Sequence, residues 1–144
     1  MYEFKPDYEQ AKKRIDAFWD REIIDRALTY ITFPRPISEQ IPMPSPPEKI
    51  SEKWLNAQYR AESAFVQMHN NVWYADSIPV VRPTLGPATV AAYFGAELEF
   101  DPISSWTRHD LKEWPDDLSS ILRFSKDNFY FKKWSLKLIL AFYL

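Results

Sequence analysis

The chain has 144 residues, of which 46% are hydrophobic and 26% are charged, and its formal net charge is −2. This length is that of one domain or of part of a larger one. The composition excludes a disordered tail and a fibrous repeat. The near-neutral charge gives no global electrostatic attraction to nucleic acid or to anionic lipid.

Three residue counts exclude further classes of site. The chain has no cysteine, which excludes disulfides, thiolate catalysis and every cysteine-based zinc or iron–sulfur site. The two histidines, His69 and His109, are far apart in the chain, which argues against a self-contained imidazole metal site. Phosphate-binding loops need several closely spaced glycines, and this chain has only two glycines against twelve prolines.

Aromatic residues make up 17% of the chain. They fit either a core built from large rings or a ring-lined cleft, because ligand sites are rich in aromatic side chains. The first seven residues are polar and lack the apolar stretch of a signal peptide. The apolar run 136–144 is far shorter than the roughly 20 residues of a membrane-spanning helix. We therefore expect a cytoplasmic protein.

The chain begins with a helix and a strand. Asp7 is a candidate N-cap, with Gln10 completing a pair that resembles a capping box. Helical spacing then places an apolar face on Tyr8, Ala11, Ile15, Phe18 and Trp19, and the basic residues 12–14 on a solvated face. The β-branched and aromatic segment 27–33 predicts a strand that Pro34 ends.

The middle of the chain combines a stiff loop with a helix. Residues 34–47 hold six prolines, which predicts an extended loop or, alternatively, a proline-rich recognition segment. Ser51 is expected to cap a helix that runs to His69. The imidazole of His69 could meet the last carbonyls of this helix or act as a metal ligand, and we favour the first interpretation.

The remaining segment begins with a strand at 72–81, in which Asp76 interrupts an apolar run. Such a carboxylate is disfavoured in a strand unless something uses it. The later elements, in order, are a turn at Leu85-Gly86-Pro87, a helix over 88–94 with Gly95 as its C′ residue, a brief strand at 96–100, an irregular stretch at 104–115, and helices over 116–123 and from Asp127 to the end.

Apart from Lys137, the last predicted helix is apolar on every side over residues 136–144. A helix of this kind must be buried against something. The sequence therefore indicates a chain that stops before its partner element, or one that self-associates through this helix.

Short segments in a fixed order carry a family resemblance. These segments are Lys5-Pro6-Asp7-Tyr8, Phe18-Trp19, Ile24-Asp25-Arg26, Asp76-Ser77-Ile78-Pro79, Leu85-Gly86-Pro87, Ala91-Ala92-Tyr93-Phe94-Gly95 and Ser104-Ser105-Trp106. Together they resemble the amino-terminal part of the uroporphyrinogen decarboxylase superfamily, nearest to its divergent and largely uncharacterised bacterial and archaeal branch, over residues 4–134.

The resemblance implies an α/β fold, a (β/α)8 TIM barrel. Such barrels have about 250 residues, so the chain would be an incomplete barrel: an N-terminal helix and the first two or three βα units. Residues 1–144 would then form one N-terminal portion of a uroporphyrinogen decarboxylase-like domain, apparently truncated.

The resemblance also implies two reactions. One branch is a lyase that removes carboxylates from the acetate arms of a porphyrin precursor without metal or cofactor. The other is a methyltransferase that moves a methyl group between a corrinoid and a thiol, with zinc held late in the family's chain. We expect the fragment to be inactive alone and to have no nucleic-acid or membrane partner. The alternative is a non-catalytic remnant or protein-interaction module.

Five residues take site roles through this resemblance, and none is a metal ligand. Asp76 matches the catalytic aspartate that holds pyrrole N–H groups, and a turn-forming aspartate is the alternative. Arg35 matches the first arginine of a carboxylate-binding motif whose second arginine is missing here. Arg82 would also bind the substrate, unless it is a surface arginine. We expect Asp76 and Arg35 to share one rim of parallel strands, with Tyr74 or Trp106 as apolar walls.

Overall fold

A computed structural model describes residues 3–82, 84–108, 123–133 and 135. The chain divides into two units, each made from two separate stretches. The first unit contains residues 1–43 and 63–81, and the second contains residues 44–62 and 82–144. Among the described residues, no helix has both the length and the apolar character needed to cross a membrane.

Helix α1 spans Tyr8–Trp19 and opens the first unit, as its apolar periodicity predicts. Asp7 lies at its N-cap, but its side chain makes no capping hydrogen bond. Ala11 and Ala17 are buried, whereas Phe18 and Trp19 are exposed. The basic residues 12–14 were expected to be solvated; Lys12 and Lys13 are exposed, but Arg14 is not.

The first unit contains one antiparallel sheet, made of β1 (Tyr30–Pro34) and β2 (Asn71–Ala75). Tyr30 lies opposite Ala75, and Pro34 lies opposite Asn71. The expectation of neighbouring parallel strands is wrong for this pair. The reason lies at the end of β1, where Arg35 donates from its backbone nitrogen to the Asn70 carbonyl at 2.8 Å. The chain therefore enters β2 at the end where it left β1.

The predicted helix over 51–69 is two helices, α2 (Ile50–Leu55) and α3 (Ala57–His69). Asn56 separates them, and its Oδ1 accepts a hydrogen bond from the Tyr59 backbone nitrogen at 3.0 Å. This is the usual way in which an asparagine begins a helix. Ser51 lies inside α2 and does not cap it. The proline-rich loop contains a single turn of 3-10 helix at Ile37–Glu39.

The second unit holds helix α4 (Thr89–Tyr93) and a hairpin of β3 (Leu98–Phe100) and β4 (Ser105–Thr107). Its core centres on Leu85, Ala92 and Leu98, against which Leu55, Ala88, Tyr93, Phe100 and Tyr130 pack. Gly95 follows α4 with a φ of 99°, as expected of a C′ glycine. Strand β4 lies in a stretch that was expected to be irregular.

The end of the chain is described only in part. Residues 129–133 and 135 are helical, and the Asn128 Oδ1 accepts hydrogen bonds from the backbone nitrogens of Tyr130 and Phe131. Asn128, not Asp127, therefore begins this helix. The predicted apolar stretch 136–144 lies outside the described residues, as does the predicted helix at 116–123 except for Arg123.

Candidate functional site

Asp76 lies directly after β2 and is fully buried. The chain bends sharply here, because Ala75 has a φ of 56°, a left-handed conformation that is uncommon for residues other than glycine. The Asp76 backbone nitrogen donates to the Thr29 carbonyl at 2.9 Å. The Ser77 hydroxyl, also buried, donates to the Ile31 carbonyl at 2.6 Å. The bend after β2 is thus fixed to the start of β1.

The Asp76 carboxylate accepts four hydrogen bonds. Arg26 donates two, from Nη1 to Oδ2 at 2.5 Å and from Nη2 to Oδ1 at 2.9 Å. The Thr29 backbone nitrogen donates to Oδ2 at 2.9 Å, and Arg14 Nη1 donates to Oδ1 at 3.3 Å. A carboxylate offers about four lone-pair positions, so a new donor would have to displace one of these groups.

Opposing effects act on the pKa of Asp76. Burial alone would raise it, but the hydrogen bonds from Arg26 and Thr29 and the nearby positive charges outweigh burial and hold the pKa below its ordinary value. The carboxylate is therefore ionised at neutral pH. A buried charge that is paired in this way can be kept inside a fold, whereas an unpaired one is strongly destabilising.

A second aspartate completes a four-charge cluster of Arg14, Asp25, Arg26 and Asp76. Arg14 binds Asp25 through two parallel hydrogen bonds, from Nε to Oδ1 at 2.8 Å and from Nη2 to Oδ2 at 2.7 Å. This contact lowers the pKa of Asp25 to about 2. The two arginines and two aspartates sum to zero charge, so the cluster as a whole does not attract anions.

Lys5 is the other buried charge at the end of β2. Its Nζ donates to the Ala75 carbonyl at 2.6 Å and to the Trp73 carbonyl at 3.2 Å, and it forms an ion pair with Asp7 at 2.9 Å. These contacts use the three protons of the ammonium group. Lys5 thus attaches the start of the chain to the outer edge of β2.

An open cleft of about 240 Å³ lies beside the four-charge cluster. It is smaller than the typical pocket for a drug-sized ligand, at roughly 300 Å³ and above. Apolar side chains and one acid join the two arginines in its walls, which consist of Arg14, Phe18, Glu22, Ile23, Ile24, Arg26, Ala27 and Leu28. Since both arginines are already paired, the cleft is chiefly an apolar surface.

The structure separates the residues for which we expected one site. Asp76 follows β2, whereas Arg35 follows β1 at the opposite end of the antiparallel pair. Arg35 Nε donates to the His69 carbonyl at 2.6 Å, and its guanidinium lies 3.6 Å from Glu39. The expected shared rim is therefore wrong, because it required parallel strands.

The other predicted site residues are exposed. Tyr74 is 59% exposed and lies opposite Ile31 in the first unit. Trp106 is 51% exposed and Arg82 is also exposed, and both belong to the second unit. The sequence did not identify Arg14 and Arg26 as the partners of Asp76, because 62 and 50 residues separate them from it.

Two segments of the second unit meet closely. The Ser105 hydroxyl donates to the Leu85 carbonyl. Gly86 has a φ of 100°, and a Cβ at this position would lie 3.1 Å from the Ser105 backbone nitrogen. Leu85-Gly86-Pro87 and Ser104-Ser105-Trp106 are therefore packed backbone to backbone, at a place where only glycine fits without a shift.

In the described ranges, no three His, Cys, Asp or Glu side chains are grouped so that they could hold an ion.

Comparison of the chain with protein-family models, with curated proteins and with solved structures gives no match.

Proposed function

We propose that this chain is the N-terminal portion of a uroporphyrinogen decarboxylase-like enzyme, with a carboxylate-bearing tetrapyrrole, a corrinoid or a methylated small molecule as substrate. One observation carries the proposal: segments on which the resemblance rests hold one another in place. Lys5 binds Ala75 beside the Asp76 segment, Arg26 binds Asp76, and Ser105 binds Leu85.

This observation supports the proposal because the residues that define a fold include those that make its long-range contacts. Lys5, Arg26 and Ser105 belong to different resembling segments, and each reaches another such segment or its immediate neighbour. A chance likeness of short motifs gives no reason for these segments to meet. The antiparallel β1–β2 pair would then precede or flank the barrel strands.

In this proposal Asp76 has a catalytic role only after the Arg14 guanidinium moves away from it. Its contact with Arg14 is the longest of the four, at 3.3 Å, and is the one that a substrate N–H would displace. Arg14 would keep its two bonds to Asp25. Once Arg14 is displaced, Arg26 keeps Asp76 in its ionised form, and the carboxylate can stabilise positive charge on a pyrrole.

The proposed contacts for substrate carboxylates are the half-buried Arg35 in the first unit and, separately, the exposed Arg82 in the second. The exposed ring of Tyr74 belongs to the first unit and that of Trp106 to the second. Arg35 and Arg82 have guanidinium groups that can form paired hydrogen bonds to a carboxylate. Barrel active sites draw residues from the ends of several strands. We therefore expect the chain to bind such a substrate weakly and to show neither decarboxylation nor methyl transfer by itself.

Calorimetric titration of the full chain with uroporphyrin and with methylcobalamin tests this proposal. We expect uroporphyrin to bind, Arg35→Gln and Arg82→Gln each to weaken binding several-fold, and Arg123→Gln, an exposed control, to leave it unchanged. Absence of binding to both compounds would contradict the proposal. Release of coproporphyrinogen and carbon dioxide from added uroporphyrinogen by the purified chain would contradict the expected inactivity.

A second candidate function, a protein-interaction module, is favoured by one specific observation. The end of α1 and the segment after it expose large apolar side chains, with Trp19 at 76%, Ile23 at 74% and Ile24 at 55% exposure. Ile23 and Ile24 line one cleft together with Phe18, and contiguous apolar surface of this kind marks interaction sites. Under this alternative, Ile23→Lys would abolish binding of a partner protein and would leave uroporphyrin binding unchanged.

A further inference from the structure

The two edges of the β1–β2 sheet differ in what covers them. On β2, the outward carbonyls are those of Trp73 and Ala75, and Lys5 Nζ binds both. Lys5 is 1% exposed, so its side chain fills the space beside this edge. A lysine placed along an edge strand blocks the addition of a further strand. The edge of β2 is therefore closed.

The edge of β1 is open. Residues of an antiparallel strand alternate between facing their partner and facing away. Thr29 and Arg35 bond to β2 residues or their neighbours through their backbones. Tyr30, Thr32 and Pro34 therefore direct their backbone groups away from β2. Across 3–82, 84–108, 123–133 and 135, none of these outward groups has a hydrogen-bond partner.

The side chains of β1 also lack cover. All five residues of the strand are exposed, with Ile31 at 42% and Phe33 at 44%. None of the five carries a charge. An isolated two-stranded sheet is only marginally stable in water, and an exposed, uncharged edge is a template for another strand.

We propose that β1 pairs with β1 of a second copy of this chain, antiparallel and across a two-fold axis at Thr32, to form a four-stranded sheet. In this register each Thr32 exchanges two backbone hydrogen bonds with Thr32 of the other copy. Tyr30 then donates its N–H to the Pro34 carbonyl of the other copy, at both ends. Pro34 has no N–H, and in this register only its carbonyl oxygen takes part, as a hydrogen-bond acceptor.

The same register explains why the occupant is a second copy. It places Ile31 opposite Phe33 of the other copy, twice, at the close non-hydrogen-bonded positions of the ladder. Aromatic and β-branched side chains that face each other across strands stabilise a sheet. Because the strand is uncharged, the two-fold axis brings no like charges together. The edge is thus complementary to itself in both backbone and side chains.

Sedimentation equilibrium of the full chain, over a range of concentrations, tests the pairing. We expect a mass twice the 17.1 kDa of one chain. Thr32→Lys and Thr32→Glu each place two like charges opposite one another and are expected to give monomers. An equimolar mixture of the two variants is expected to regain the dimer, since Lys and Glu then face each other. This rescue shows that neither variant is simply unfolded.

Ile37→Lys is the matched control, because Ile37 is 89% exposed and lies outside β1; this variant should remain dimeric. A monomeric wild-type chain would overturn the proposal. So would a Thr32→Lys variant that stays dimeric, which is the result expected if association runs through the apolar stretch 136–144. The mass of the chain is measured without ligand, so this outcome is separate from that of the tetrapyrrole titrations.

Discussion

Arg26 and Asp76 are joined by two hydrogen bonds of 2.5 and 2.9 Å, although they are 50 residues apart in the chain. The contact fixes the end of β2 to the segment that leads into β1. Because Asp76 is fully buried, its ionised form depends on these donors. The pair thus links the local bend at Ala75 to the register of the whole sheet.

Replacing Asp76 by Asn is expected to destabilise the chain by about 3 kcal/mol, the lower end for breaking a buried ion pair, since Arg26 is partly exposed. The substitution keeps the size of the side chain and leaves two arginines without their shared counter-charge. Urea unfolding measures the change. Asp20→Asn, at an exposed position, should have a much smaller effect, and an equal loss in both variants would contradict the structural role of the cluster.

The free energy of unfolding should decrease as the pH is lowered through the acid range. Asp25 has a pKa of about 2 in the folded chain against an ordinary value of 3.8. A lowered folded-state pKa gives stability that is present above pH 3.8 and is lost as the pH falls toward 2. Asp76 shifts in the same direction. Asp25→Asn should make the dependence shallower in this window, and an unchanged slope would contradict the Arg14–Asp25 contact.

The two glycines should respond differently to alanine. Gly86 and Gly95 have nearly the same φ, 100° and 99°, so both substitutions carry backbone strain of about 1 kcal/mol. A Cβ at Gly86 also meets Ser105, whereas one at Gly95 has nothing within 4 Å. Thermal unfolding should therefore show a larger loss for Gly86→Ala, and equal losses would argue against the close packing of these segments.

Lys5→Met should destabilise the first unit. It preserves much of the buried side-chain volume but removes the donor to the Trp73 and Ala75 carbonyls. A buried acceptor that loses its partner costs about 1–3 kcal/mol. Lys13→Met, on the exposed side of α1, is the control and should be nearly neutral. Faster amide exchange in β2 of the Lys5 variant alone would locate the effect.

Local signals predicted much of the fold. The apolar spacing of α1, the strand character of β1 and the glycine after α4 are properties of neighbouring residues, and the structure confirms them. The break at Asn56 was missed because Trp54, Ala57, Ala61, Phe65 and Met68 keep one helical spacing across it. The strand β4 was missed because three residues are too few to show an alternation.

Long-range relationships were not predictable in the same way. Arg14 has the sequence context of a solvated residue, with Lys12 and Lys13 beside it, and only the tertiary fold brings Asp76 to it. The strand direction was inferred from a family resemblance, and the bonds from Arg35 to His69 and Asn70 contradict it. The apolar run around Asp76 indicated that something uses its carboxylate, and Arg14, Arg26 and the Thr29 backbone nitrogen are its donors. The predicted strand 72–81 nevertheless ends at Ala75, so Asp76 lies after it.

The interleaving of the two units sets the order in which this chain can fold during synthesis. Residues 1–43 contribute Arg14, Asp25 and Arg26, but their partner Asp76 belongs to the stretch 63–81. A nascent chain that has left the ribosome only as far as residue 62 therefore holds two arginines and one aspartate with no β2 to pair with. The first unit can close only after residue 81 has emerged, so the stretch 44–62, which carries helix α2 and belongs to the second unit, must leave the ribosome between the two parts of the first.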